Sequence, residues 1–334
     1  MTTRARPASA GSVTLAEIQA PVAPALSRVG EEMWRIVAVD SVLLNGVSEH
    51  LMLMKGKMLR PTLLLLASRA EEAPQSRAAA YAAVVELIHL ATLVHDDAVD
   101  HSVLRRGMPT INALFTHQVA VIAGDFLYSR AVQELVRLGD LEALRIFAKA
   151  SNELTLGEMR QLSALDALQF SEEDYEFLIR AKTAALFSGA CEVGALCGSA
   201  RFRETLAEYG SHLGMAFQVA DDLLDYTEAS ETLGKPAGLD LKEHKVTLPL
   251  IAALRTMPRS SRAEVDALFD STEPDEAAIG RVMEIVREEG GLDYARERGE
   301  VYASRADDAL GGLPESPARR SLQDTLTYVM DRRA

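Results

Sequence analysis

The stretch LVHDDAVDHSVLRRGMPT (residues 93–110) decides the reading of this chain. It carries Asp96, Asp97 and Asp100 directly after an apolar run and directly before Arg105 and Arg106. Residues four apart share one face of a helix, so Asp96 and Asp100 project together and Asp97 swings away by roughly 100°. Two carboxylates aimed the same way repel each other unless a cation lies between them. Hard divalent ions take oxygen ligands, and Mg²⁺ in particular keeps waters and bridges carboxylates to phosphate groups.

The pattern is repeated. Residues 221–225 read DDLLD, with Asp221, Asp222 and Asp225 at the same spacing and again behind an apolar segment, GMAFQVA. Two such clusters on two amphipathic helices can face each other across a bundle, as carboxylate metal sites in helical bundles do. Basic residues flank both. Lys57 and Arg60 lie in KGKMLRP, Lys182 in AKTAALF, and Lys235 and Lys245 in GKPAGLDLKEHKVTLP. Arginine grips phosphate oxygens as a fork and lysine as a mobile point charge. Acids and bases together point to a polyanion bridged by metal.

The rest of the composition narrows the class. A formal charge of −14 argues against a nucleic-acid partner, so an anionic ligand must be a small one held locally. Apolar residues at 48% of 334 supply a large core. Two cysteines, Cys191 and Cys197, are too few for a disulfide framework and fit a reducing cytoplasm as small buried hydrophobes. The polar start, MTTRARPASAGSV, has no apolar signal core, and runs such as TLLLLA (62–67) fall well short of the ~20 residues of a membrane span, so no transmembrane segment is expected.

Long Ala/Leu/Glu-rich segments near 76–101, 141–168, 171–198 and 201–227 have helical periodicity, with Ser76 and Ser171 as N-caps. No alternating runs bounded by hairpin turns support strands. The expectation is a flexible tail over 1–15 and one all-α domain over 16–334, with Met33, Trp34 and the remaining aromatic residues in its core.

With these motifs in hand, the chain resembles the trans-isoprenyl diphosphate synthase (polyprenyl synthetase) family, long-chain type. KGKMLRP, ELIHLATLVHDDAVDHSVLRRGMPT, AGDFL, AKTAALF, GMAFQVADDLLDY and GKPAGLDLKEHKVTLP occur in the family's order. The resemblance implies a homodimeric all-α bundle with a central cavity and Mg²⁺ as cofactor, about three ions per site. It implies that Asp96 and Asp100 bind two ions and that Asp221, assisted by Asp225, holds the third. Asp97 and Asp222 would support these ligands from behind. Arg105, Lys182, Lys235 and Lys245 would bind the allylic diphosphate. Lys57, Arg60, His89 and Arg106 would bind isopentenyl diphosphate, and Thr183 and Gln218 would line the reacting centre. One departure is visible: Lys55 replaces a glycine and Met58 a basic residue of the family's first motif.

The implied reaction is head-to-tail condensation of the two diphosphates. Alternatives are a C15 or C20 synthase, a terpene cyclase, or a non-catalytic subunit of a two-part synthase. A cyclase ordinarily replaces the second aspartate motif, and a non-catalytic subunit loses one; both motifs are intact here. Product length is expected to depend on the helix face above Asp96, where Ala91 and Thr92 are small and Ile88 follows one turn further up. Each turn rises about 5.4 Å, close to one five-carbon unit. With small residues there, the product is expected to reach C30 or more, with Tyr81 as one candidate floor. Ala91→Phe is therefore expected to shorten the product. Thin-layer analysis of dephosphorylated, radiolabelled products checks this, and an unchanged length would show that the growing chain does not pass residue 91.

Overall fold

The computed structural model describes residues 13–54, 56–71, 77–162, 167–227 and 237–331; Lys55, Ser76 and Lys235 lie outside the described residues. The helices are α1 (Leu15–Gln19), α2 (Ala23–Val37), α3 (Val42–Leu53), α4 (Leu59–Ser68), α5 (Ala78–Val99), α6 (Ile111–Leu114), α7 (His117–Leu138), α8 (Leu141–Leu162), α9 (Glu172–Ile179), α10 (Ala185–Leu196) and α11 (Arg203–Thr227). Six more complete the chain: α12 (Leu239–Lys242), α13 (Leu248–Leu254), α14 (Arg259–Asp270), α15 (Glu276–Glu288), α16 (Gly291–Ala309) and α17 (Pro317–Met330). The architecture is all-α, as expected. Thr14 opens α1 with a capping box closed by Glu17, so Leu15, placed in the expected tail, is helical, while residues 1–12 of that tail lie outside the described residues.

α5 is the axis of the bundle. Every residue from Ala78 to Ile88 is buried, and α2, α4, α7 and α10 pack around it. A helix apolar on all sides must be surrounded by others. The apolar run here is longer than the short runs counted in the sequence. α5 is long and apolar enough to cross a membrane by length and composition, with mean hydropathy 1.5, yet 78% of that window is buried within the fold. Its alanines and single tyrosine dilute the apolar signal to the eye, and packing reveals it.

α11 lies alongside α10 and α16, and α10 also lies against α4. Glycines permit these close approaches. A Cβ on Gly194 would stand 2.3 Å from the Leu64 carbonyl oxygen, and one on Gly214 would stand 2.5 Å from Ala184 Cα. The second contact presses α11 onto the turn Arg180–Ala184, which has π-helical pairing and joins α9 to α10. Single π turns of this kind often occur at functional sites. Ser171 caps α9 as expected, in a capping box with Asp174.

Two other expectations change. Trp34 is 43% exposed while its neighbour Met33 is buried. α2 buries Val29, Met33, Ile36 and Val37, and the next residue along turns outward. A short β-ribbon also exists: Leu104–Arg105 pairs antiparallel with Met108–Pro109. Its turn is Arg106-Gly107 with φ of 52° and 74°, the left-handed pair that a two-residue hairpin favours. Two-residue strands leave no alternation to read in the sequence. Cys191 and Cys197 are both free and buried, as small hydrophobes are.

Gly194→Ala is expected to cost about 1–3 kcal/mol of stability, because backbone and not a flexible side chain blocks the added methyl. Denaturant unfolding measures it; an unchanged midpoint would mean that α4 and α10 can separate freely.

Candidate active site

A cavity of about 610 Å³ opens between α4, α5, the 104–109 hairpin, α8, the 180–184 turn and α11. α5 contributes Glu86, His89, Leu93 and Asp96 at spacings of three and four, which form one stripe of its surface. Thr92 borders the stripe. From Glu86 to Asp96 the stripe runs roughly 15 Å. Lys57 and Arg60 enter from the start of α4, Arg106 from the hairpin, and Lys182 and Thr183 from the π turn. Phe217, Gln218 and Asp221 enter from α11. Ten residues selected from the sequence thus line one space: Lys57, Arg60, His89, Thr92, Asp96, Arg106, Lys182, Thr183, Gln218 and Asp221.

At one end, Asp96 faces the π turn. Lys182 Nζ lies 4.0 Å from Asp96 and is ion-paired with Glu158 of α8. Burial pushes the Asp96 carboxyl up to about 6; Lys182 opposes this and Glu158 adds to it. Asp97 points away, as its position on the helix requires. Its two oxygens accept Nε of Arg105 at 2.9 and 2.8 Å. Asp100 forms the C-cap of α5 and accepts Lys245 Nζ at 3.4 Å. Arg105, Asp100 and Lys245 lie outside the cavity lining, and Lys245 links the 237–245 segment to the first motif.

The second motif divides its labour in the same way. Asp221 lines the cavity. Asp222 is buried and accepts Gln218 Nε2 at 2.8 Å and the Tyr175 hydroxyl at 2.6 Å. Asp225 accepts the backbone N–H groups of Leu239 and Asp240, each at 3.1 Å. It thereby anchors the start of α12, a task the sequence did not suggest.

At the other end, Arg60 lies over the Phe187 ring, 4.7 Å from its centroid. Burial lowers its guanidinium to about 10, with Glu86 opposing, so it stays charged at neutral pH. Lys57 lies over the Tyr328 ring, 5.6 Å from its centroid, which brings the last helix to the cavity rim. Burial, reinforced by Arg60 and Arg106, drives the His89 imidazole well below its usual range. His89 is thus a neutral hydrogen-bonding group in this site. Glu86 is buried beside the same arginines, and burial raises its carboxyl.

Met58 replaces a basic residue of the family motif and holds left-handed backbone at φ 50°. It lines the cavity all the same, as does Leu59. The chain-length candidates separate. Thr92 lines the cavity, whereas Ala91 and Ile88 are each 2% exposed and lie outside its lining. Tyr81, further up the same helix, is equally buried.

The sequence reading passed over Glu86, Glu158, Tyr175 and Asp240. Burial, with Asp225 adding, pushes the Asp240 carboxyl up to about 7. Asp240 stands within a motif already quoted and could have been singled out there. Tyr175 and Glu158 are linked to the site by packing alone.

Among the described residues, no three His, Cys, Asp or Glu side chains converge to hold a metal by themselves. The donor set still fits a hard cation. Mg²⁺ retains waters and shares phosphate oxygens, so a few carboxylates around a phosphate-binding cavity suffice. The raised Asp96 carboxyl marks negative charge that a cation would relieve.

The polyprenyl synthetase family model matches residues 41–286. An all-trans-nonaprenyl-diphosphate synthase (geranyl-diphosphate specific) of Rhodobacter capsulatus is 39% identical over 95% of this chain and 97% of its own length. Heptaprenyl diphosphate synthase component 2 of Geobacillus stearothermophilus is 35% identical over 91% of this chain and 94% of its own. The structure of a Caulobacter crescentus polyprenyl synthase, complexed with calcium and isoprenyl diphosphate, superposes with a TM-score of 0.92 at 35% identity. That superposition covers 98% of this chain and 100% of the other. Two aspartate motifs on facing helices, cations at both ends of one cavity and these matches along nearly the whole chain agree, and the chain belongs to the polyprenyl synthetase family.

Proposed function

We propose that this prenyltransferase adds isopentenyl diphosphate head-to-tail (1'–4) to an allylic diphosphate and builds an all-trans long-chain polyprenyl diphosphate of C30 or more. The observation that carries the reading is a single cavity whose two ends are lined by charged groups of different chemistry. Asp96, Asp221 and Lys182 serve one end, and Lys57, Arg60 and Arg106 the other.

Asp96, Asp100 and Asp221 would hold about three Mg²⁺ ions, which supply positive charge to the departing diphosphate of the allylic substrate. Lys182, with Lys245 and Arg105 nearby, assists in neutralising that group. Lys235 belongs to the same proposed set and lies outside the described residues. Arg60, Arg106 and Lys57 hold isopentenyl diphosphate, with His89 as a neutral hydrogen-bonding partner. Leu93, Leu154 and Phe217 lend the reacting carbons an apolar surround that keeps water from the allylic cation. Thr183 and Gln218 lie beside it. The alkene attacks C1 of the allylic cation, and a proton lost from the new adduct to the released diphosphate restores the double bond. The chain needs no strong base of its own.

The long product is supported by the names of the relatives and by the small Thr92 in the cavity lining. A homodimer is supported by exposed Leu114, Ile122 and Val136 on α6 and α7, which offer apolar surface to a second copy. A second reading, one component of a two-part synthase, is favoured by the relative named as component 2.

Purified chain, Mg²⁺, labelled isopentenyl diphosphate and an allylic primer separate these readings. The expected result is a labelled prenyl alcohol longer than C20 after dephosphorylation. No incorporation by the pure chain would sink the proposal, and incorporation restored only by a second protein would favour the component reading. The geometry adds a finer expectation. A methyl on Gly56 would lie 2.8 Å from a terminal nitrogen of Arg106, which also bonds the Met54 carbonyl at 3.2 Å. Gly56→Ala should raise KM for isopentenyl diphosphate about tenfold, a loss on the scale of one charged hydrogen bond, and leave KM for the allylic primer unchanged. Equal shifts for both substrates would show that Arg106 does not separate them.

A further inference from the structure

We propose that Tyr175 and Asp222 are positioning residues that fix the polarity of the Thr183–Gln218 wall, so that oxygen lone pairs face the reacting allylic carbon. The inference rests on the prenyl-transfer reading above.

Four side chains form one directed hydrogen-bond chain. Tyr175, 2% exposed in α9, donates its hydroxyl to Asp222 Oδ2 at 2.6 Å. Asp222 Oδ1 accepts Gln218 Nε2 at 2.8 Å, across one turn of α11. Gln218 Oε1 accepts the Thr183 hydroxyl at 2.7 Å. Thr183 and Gln218 line the cavity, whereas Tyr175 and Asp222 stand behind them.

The direction of the chain follows from what each group can do. An amide has a donating nitrogen and an accepting oxygen, and its orientation is read from its partners. Asp222 Oδ1 accepts, so the amide nitrogen must face it and the amide oxygen must face Thr183. The single Thr183 proton is then committed to Gln218, which leaves lone pairs of the hydroxyl for the cavity. Burial and the neighbouring Asp222 hold the Tyr175 hydroxyl far above its usual pKa, so it remains a donor that engages Oδ2. Oδ1 accepts the amide whether or not a proton sits on Oδ2, so the polarity does not depend on the charge of Asp222.

The reverse orientation would be harmful. With Gln218 flipped, its NH₂ would face Thr183 and the hydroxyl proton would swing toward the cavity. A partial positive charge would then face the carbon that becomes cationic. In a site shielded from water such dipoles act at close to full strength. The relay removes that alternative before substrate arrives.

The test is Tyr175→Phe, assayed with isopentenyl diphosphate, an allylic diphosphate and Mg²⁺. Losing one anchor of the relay should lower kcat about tenfold, with both KM values and the Mg²⁺ dependence unchanged. The decisive measurement is a double-mutant cycle. In a Thr183→Val background, where no hydroxyl remains to orient, Tyr175→Phe should bring no further loss of kcat. Additive losses, a shift in either KM, or an unchanged kcat would overturn the proposal. Thermal unfolding is followed in parallel, since a purely structural role would move the midpoint without the kcat split. If Tyr175→Phe does not fold, Asp222→Asn carries the test: its side chain can face Gln218 with either oxygen or nitrogen, and the same kcat-selective loss at unchanged Mg²⁺ dependence is expected. Failure of wild type to elongate isopentenyl diphosphate would instead remove the underlying reading.

Discussion

Six carboxylates placed at the C-terminal ends of two largely buried helices form the constraint on which the rest of the structure depends. Asp100 is the C-cap of α5, and Asp225 lies two residues before the end of α11. The helix macrodipole is negative at these ends, so the acids there are opposed by their own helices and by one another. A buried carboxylate also loses its hydration and must be compensated by hydrogen bonds or cations. Each acid described above meets this demand differently. Asp97 takes Arg105, Asp222 takes Tyr175 and Gln218, Asp225 takes two backbone N–H groups, and Asp100 takes Lys245. Asp96 keeps a raised carboxyl despite Lys182. Hydrogen bonds and cations thus compensate Asp97, Asp100, Asp222 and Asp225, while Asp96 faces the cavity with its carboxyl raised by burial.

These compensations also explain the loops. The hairpin turn at Arg106-Gly107 lets adjacent arginines do separate jobs, one clamped to Asp97 and the next directed into the cavity. The start of α12 is anchored by Asp225, with Gly238 at φ 76° turning the chain into that helix. Lys245 then reaches back to the first motif. These loops are therefore fixed by Asp97, Asp225 and Asp100.

Much of this was legible because helical spacing and charge are local properties. The spacing within each motif turned Asp97 and Asp222 away from Asp96 and Asp221, but it also put Asp100 and Asp225 on the cavity face, whereas they pair with Lys245 and with the start of α12. What remained hidden depended on contacts far apart in sequence. Tyr175 meets Asp222 across 47 positions, and Lys245 meets Asp100 across 145. Nothing near Tyr175 marks it as more than a core aromatic. Trp34 failed the opposite way: its composition suggested core, yet its position beside Met33 turned it outward. Ala91 shows the limit of reading a helix face without its neighbours. It shares α5 with the lining residues, but the surrounding helices cover it and leave Thr92 at the cavity.

The difference between the two ends of the cavity follows from the fates of the two diphosphates in the proposed reaction. The allylic diphosphate must leave, so its charge grows toward the transition state, and stabilisation there is useful only if it grows too. Carboxylates that recruit divalent ions, with lysines nearby, meet that need. The diphosphate of isopentenyl diphosphate stays attached throughout, so uniform binding is enough. Arg60, Arg106 and Lys57 would provide it with fixed side-chain charges, two of them set against aromatic rings. Buried Glu86 beside the arginines offsets part of their mutual repulsion. A metal at that end would neutralise a group that undergoes no change, and fixed cations at the other end would meet the growing charge without the Lewis acidity it needs. The same chemistry accounts for the wall between them. Between a charge that departs and one that remains, the carbon that becomes cationic needs neutral oxygens and no further anion, and the hydrogen-bonded Thr183 and Gln218 would supply them.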